Sequence, residues 1–518
     1  MPDALLFAAE LLTGKEPDTC ASVCTREHSF CLLPMGNQRR EVCRRPQYDG
    51  KCENMNFRKK YFGDKAFYMM VLNVAVPIMI QNGITNFVGL LDNIMVGRIG
   101  TEQMSGIAIV NQLFLVFNLA IFGAISGVGI FGAQFFGCGD HKGVRQTFRF
   151  KLYVCAAIVI VGILVLMVGG EQMIRLYLHG EENAQALQAT LGYGKQYLWV
   201  MFIGLAPFAV EEIYASTLRE CGETKVPMAA GTVAVGVNLA LNYVLIYGKL
   251  GFPQLGVAGA AIATVISRYV QMAVVISWTH THAEQMPFIV GAYRKLVIPS
   301  QLAVNILKRG TPLMCNEILW AAGIAIMNQC YSLRGLDAVA AQNISSTISN
   351  LFNVVFMAMG SCIAILVGQL LGAGKMEEAK DTDRKLIVFS VLSCFVLGGL
   401  MILFSPLFPQ LYKTSDQVKA LAVALLRVSA LCMPMHAFIH ASYFTIRSGG
   451  KTIVTFLFDS VYLWCVDIPL AYVLSRFTGL PMVPLFFCCQ AIDIIKCIIG
   501  FVLVKKGVWL NNIVSREE

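Results

Sequence analysis

Gln134-Phe-Phe-Gly137-Cys-Gly139 recurs as Gln369-Leu-Leu-Gly372-Ala-Gly374, 235 residues further on. At the same offset Pro77 meets Pro312, Asn93 meets Asn328, Gly100 meets Gly335 and Arg149 meets Arg384. Thr217-Leu-Arg219-Glu-Cys-Gly222-Glu-Thr224 then matches Thr445-Ile-Arg447-Ser-Gly-Gly450-Lys-Thr452 at an offset of 228, as Arg268 matches Lys496. At 229, Val237-Asn238-Leu-Ala-Leu241-Asn-Tyr243-Val-Leu245 aligns with Val466-Asp467-Ile-Pro-Leu470-Ala-Tyr472-Val-Leu474. Matched glycines, prolines and charges at nearly constant spacing make the chain two copies of one unit.

Each copy is filled with apolar sequence. Of 518 residues, 56% are hydrophobic and 14% charged, against about 25% charged in a soluble domain; mean hydropathy is +0.62. Runs long enough to cross a bilayer, about 20 residues each, fall near 66-97, 105-136, 149-169, 190-218, 228-248, 257-279, 303-332, 340-372, 385-405, 420-446, 453-475 and 481-504. They are too long and unbroken for barrel strands, which alternate over about ten residues. The expected fold is an all-α polytopic membrane protein with twelve transmembrane helices. Six per copy is an even number, so both copies enter from the same side. The two six-helix lobes then form a parallel internal repeat about an axis along the membrane normal. Such a two-lobed body suits alternating access better than a channel pore, which identical subunits usually share.

Lysine and arginine sort the two faces. One side's loops hold 23, among them Lys142, Arg145, Arg219, Arg294, Lys375 and Arg447; the other side holds 8. The positive-inside rule puts the rich side and both termini in the cytoplasm, with the cell membrane as the expected location. The net charge of +9 is therefore a topology signal. No basic run interleaved with aromatics points to nucleic acid. The expected organisation is a polar, disordered extension at 1-54, an N-lobe at 55-285, a cytoplasmic linker at 286-302, a C-lobe at 303-508 and a tail at 509-518. Five of the 17 cysteines lie in the extension, without the Cys-x2-Cys knuckles of a zinc site. Ala4 to Leu12 is too short, and lacks the basic flank, for a signal peptide. Gly127-Val-Gly129-Ile-Phe-Gly132 fits a dinucleotide pattern but sits inside a span with no preceding strand.

Taken together, Pro77, Leu91-Asp92-Asn93-Ile-Met-Val-Gly97, the paired Gln-x2-Gly-x-Gly turns and the paired Leu/Ile-Arg-x2-Gly-x-Thr loops resemble the multidrug and toxin extrusion (MATE) family of secondary transporters. The resemblance covers about residues 56-508. It implies two six-helix lobes that export cationic or amphipathic compounds in exchange for sodium ions or protons, with no enzymatic step and no cofactor.

A carboxylate in hydrocarbon costs about 2.5–3.5 kcal/mol on insertion scales, so each one needs a reason. Asp92, toward the outer end of span 1, is either a proton- or sodium-binding group facing a lobe cavity or a span-end carboxylate reaching water. Asn238 and Asn242, one turn apart on span 5, and Thr264 on span 6 offer it oxygens, or act as glue between helices. The resemblance favours the first role, since the family's span 1 Asp meets polar residues of spans 5 and 6. Asn242 stands where members commonly carry Asp, one charge fewer for holding sodium. Glu317, five residues after Pro312, is a cation site or a buried packing residue; the family includes members with a sodium-linked Glu here and an Asp in span 10. His436 holds the latter place. Histidine changes charge near neutral pH, which leans coupling toward protons, and a structural histidine fits equally. Sodium, if used, is expected at Asp92 or Glu317. Asp493 and Lys496, three apart, read as an internal ion pair. The expected protein is a monomeric, cation-coupled antiporter for organic cations, drugs or amphiphiles in the lipid bilayer. Its rivals are a lipid-linked precursor flippase of related architecture, which needs a strongly basic cavity, and a non-transporting scaffold.

Overall fold

The computed structural model describes residues 57–97, 100–178, 184–295, 297–412 and 414–515. The expected extension at 1-54 lies outside the described residues. The chain divides into two units, Met1–Gly63 and Asp64–Glu518. The first includes the short helix Phe57–Tyr61; the second is the helical bundle.

Among the described residues, twelve helices are long and apolar enough to cross a membrane. The first lobe has α1 (Lys65–Gly97), α2 (Thr101–Gly137), α3 (His141–Tyr177), α4 (Ala184–Glu220), α5 (Lys225–Tyr247) and α6 (Gly256–Thr281). The second has α7 (Ser300–Ser332), α8 (Leu336–Gly372), α9 (Met376–Phe404), α10 (Asp416–Ser448), α11 (Thr452–Phe477) and α12 (Met482–Lys505). The twelve expected spans all fall on these helices.

The largest departure is α3, expected at 149-169 and observed from His141. Its first turns carry Arg145, Arg149 and Lys151, which the count of basic residues assigns to a loop. The side chains are instead consumed by protein. Arg145 donates to the carbonyls of Pro287 and Phe288 (both 3.0 Å), and Arg149 to those of Ala292 (2.7 Å) and Gly291 (2.8 Å). These bonds tie the linker, with its short 3₁₀ turn Pro287–Ile289, to the first lobe. Lys151 is fully buried.

The repeat is visible in the backbone. Gly139 and Gly374 share left-handed φ values of 76° and 74°, and Gly222 and Gly450 share 85° and 71°. These four positions favour glycine because the left-handed backbone conformation is strained for a residue with a side chain. The lobes cross at the duplicated motif. A Cβ on Gly137 would collide with the carbonyl of Gln369, and one on Gly372 with that of Gln134. Gln134 Nε2 donates to Ser448 O at 2.9 Å, and Gln369 Nε2 to Glu220 O at 2.8 Å. Each motif glutamine thus satisfies an open carbonyl in the last turn of the other lobe's fourth helix. The glycine pattern in α2 also has a packing role: Gly127 lies against Gly310 of α7, and Gly129 and Gly132 make room for the Glu220 carboxylate.

Gly372→Ala should lower stability by about 1–3 kcal/mol, the usual range for overpacking. Gly399→Ala, with nothing within 4 Å of its added Cβ, should not. Thermal unfolding in detergent checks this, and equal melting temperatures for the two variants would contradict so close a crossing.

Candidate functional site

α11 and α12 depart from regular α geometry. In α11, Leu457–Val461 and Leu463–Asp467 wind as π-helix. α12 is interrupted between Met482–Ala491 and Ile494–Lys505, with Asp493 at the break. Widened turns leave backbone groups that hydrocarbon cannot satisfy, so membrane helices tolerate them where they face protein or a polar cavity. Here they border a cavity of about 600 Å³ within the second lobe.

α8 supplies a polar wall: Gln342, Ser345, Ser346, Ser349, Asn350 and Asn353 recur at helical spacing and so share one face. Trp320 and Met327 of α7 and Phe486 of α12 make an apolar side. His436, Asp467, Asp493 and Lys496 also line it. Lys496 Nζ lies 2.7 Å from Asp459 Oδ1. The other Asp459 oxygen accepts from Asn316 Nδ2 at 2.9 Å, and Asn316 Oδ1 accepts from Ser460 Oγ at 2.7 Å. The lysine is thereby neutralised and fixed. Sequence spacing pairs it with Asp493; the structure gives it to Asp459 across the α11–α12 contact. Asp493, at the helix break, faces His436 instead, with Oδ2 3.4 Å from Nε2.

That leaves the cavity acidic. Asp467 is 7% exposed. Oδ1 of Asp467, Oδ1 of Asp493 and Oε1 of Gln342 are buried acceptors with no hydrogen-bond donor among the described residues. A buried acceptor left without a donor costs about 1–3 kcal/mol, and more when charged. Acceptors of this kind, concentrated in one polar cavity, are met by a proton, a cation or water.

In the first lobe, α5 and α6 bring Asn238, Asn242 and Thr264 together. Asn242 Nδ2 donates to Asn238 Oδ1 at 3.0 Å, and Asn238 Nδ2 to Thr264 Oγ1 at 3.4 Å. Asp92 belongs to α1, but its side chain lies outside the described residues. Glu317 is half-buried where the lobes meet, with its Cγ against Gly123 of α2. It does not line the cavity that holds His436.

Several buried charges escape the sequence reading. Glu211 is 2% exposed, and its Oε1 has no donor among the described residues. Lys151 meets Glu220 at 2.6 Å; Asp383 accepts from Thr445 Oγ1 at 2.6 Å. The cost rule that marks Asp92 also marks Ala209-Val-Glu211-Glu212 in the fourth span. Lys151 evades it because, at the edge of the expected span, it counts as a loop charge.

A family model described as MatE matches the chain twice, over residues 77–244 and 312–473, once in each copy of the repeat. Over 454 residues the chain is 23% identical to the probable multidrug resistance protein NorM of Thermotoga maritima, covering 86% of this chain and 94% of that protein. Over 420 residues it is 25% identical to the probable multidrug resistance protein YoeA of Bacillus subtilis, covering 78% and 86%. The solved structure of a multidrug resistance MATE family transporter in an outward-facing conformation has the same fold. It aligns with a TM-score of 0.75 and 18% identity, over 86% of this chain and 96% of that one.

Lys496→Met leaves Asp459 uncompensated and should destabilise the protein by about 3–5 kcal/mol, as loss of one partner of a buried pair does. Adding Asp459→Asn should recover most of that loss. Thermal melts of the two variants decide it: a single variant that melts like the parent would show the pair to be energetically idle.

Proposed function

Because the chain belongs to the MatE family, we propose that it is a cation-coupled antiporter that exports organic cations, drugs or related amphiphiles by alternating access. The observation that carries this reading is the second-lobe cavity, in which Asp467 and Asp493 present buried oxygens without donors among the described residues while the lysine beside them is already paired. Such a site attracts positive charge. Trp320 and Met327 give it a ring face and a thioether, which accept flat cations without demanding one geometry.

Coupling follows from competition for these carboxylates. A proton or sodium ion arriving from outside neutralises them, and the organic cation leaves. The membrane potential adds about 2.3 kcal/mol per charge per 100 mV. His436, against Asp493, is placed to share the proton. In the first lobe Asp92, with Asn238, Asn242 and Thr264, would form a second coupling site. Glu317 would sense the approach of α2 across the lobe interface. The excess of Lys and Arg on one face orients the sealed α2–α8 crossing and both termini toward the cytoplasm, in the cell membrane, with a single chain as the working unit. A lipid-linked precursor flippase needs a strongly basic cavity, and this one is acidic.

Efflux of a cationic dye from everted vesicles, energised separately by a proton and by a sodium gradient, tests the proposal. One gradient should drive efflux, and Asp467→Asn with Asp493→Asn should reduce it at least about tenfold, the loss expected for a removed charge–charge contact. Asp92→Asn and Glu317→Gln should each uncouple it in part. Failure of both gradients would overturn the antiporter reading; full coupling in the double Asp variant would move the site elsewhere.

A further inference from the structure

We infer that the segment from Gly507 to Ser515 is a strap, which holds the two lobes together at the basic, cytoplasmic end and opposes opening there. α12 ends at Lys505, so these residues span nothing. They are nonetheless deeply built in. Trp509 is 2% exposed and shares a buried apolar cluster with Leu371 and Ala379, at the end of α8 and the start of α9.

Beyond Trp509 the backbone passes to the first lobe. Asn511 O accepts from Gln134 Nε2 at 3.2 Å, and Ile513 N donates to Gln134 Oε1 at 2.8 Å. Both ends of the first motif amide are therefore gripped by the tail. The side chains reach the other way: Asn511 Nδ2 donates to Gly449 O at 3.3 Å, and Asn512 Nδ2 to Gly372 O at 3.0 Å. Asn512 Oδ1 also accepts from the backbone of Val514 (3.0 Å) and Ser515 (2.9 Å). That turn directs Ile513 and Val514 into an apolar cluster with Val128 and Phe131 of α2 and Phe150 of α3. One short segment is thus bonded to α2 of the first lobe and to the ends of α8 and α10 in the second.

The sequence carries an independent trace of the strap. At the repeat-equivalent position the first copy has Cys221 and the second has Gly449. A Cβ on Gly449 would collide with the carbonyl of Trp509. Cys221 directly follows the first copy's fourth helix, and none of the tail contacts described above falls there. The two copies differ where only one of them must admit a crossing chain.

Opening the cytoplasmic end separates α2 from α8 and must strip the tail from one lobe. The strap therefore biases the molecule toward the state closed on that side. Only the naming of this state rests on the alternating-access reading; the tie between the lobes does not.

Pulsed EPR on the full-length chain in liposomes tests it, with spin labels at K142C in the first lobe and K375C in the second, and with the five extension cysteines and Cys138, Cys315, Cys465, Cys488 and Cys497 replaced by Ser. Two variants are compared with this parent: one ending after Lys506, and a full-length Asn512→Ala/Ile513→Ala chain that keeps Trp509. Both should raise the long-distance, open fraction by about tenfold, the scale set by a few lost net hydrogen bonds and contacts. An unchanged distance distribution in the full-length variant would overturn the strap, even if the truncated chain fails to fold. Because the distances are read without dye or gradient, a chain that opens but does not pump would count against the antiporter reading and leave the strap standing.

Discussion

The α2–α8 crossing is the contact on which the other features depend. Two helices whose glycines lie on each other's carbonyls can approach only there, and only if Gly137 and Gly372 stay bare. That approach brings Gln134 and Gln369 to the ends of α10 and α4, seals one end of the interface and leaves the interior of each lobe to its own side chains. Beside it α2 also packs on α7, with Gly127 against Gly310, and there Glu317 faces Gly123.

The copies agree in backbone and differ in charge. Asn238 in α5 and Asp467 in α11 are repeat partners, as are Arg268 and Lys496. Where the first copy keeps a neutral network of Asn238, Asn242 and Thr264, the second places a carboxylate beside a cavity. Thr217 meets Lys151, and its partner Thr445 meets Asp383. A symmetric scaffold therefore carries an asymmetric electrostatic interior.

Much of the fold is legible in the sequence because hydropathy and helix length answer to one constraint, the thickness of the bilayer. The turns at Gly139, Gly374, Gly222 and Gly450 are legible for a similar reason, since a left-handed residue shows itself as glycine. The site is only partly legible. Cost in hydrocarbon singles out Asp92 and Glu317 but says nothing of partners, and Lys496 finds Asp459 across a helix contact that no linear spacing encodes. The π turns of α11 and the break in α12 leave no compositional mark, yet they border the cavity. The inward-turned start of α3 is hidden because its charges look like a loop until Lys151 is seen against Glu220.

The central claim is that the exported cation and the coupling ion compete for Asp467 and Asp493. Affinity of the purified protein for a fluorescent organic cation, titrated against pH and against sodium concentration, measures that competition directly. Affinity should fall as protons or sodium ions are added, and the fall should vanish in the Asp467→Asn/Asp493→Asn protein. Tight binding that ignores both ions would contradict the account.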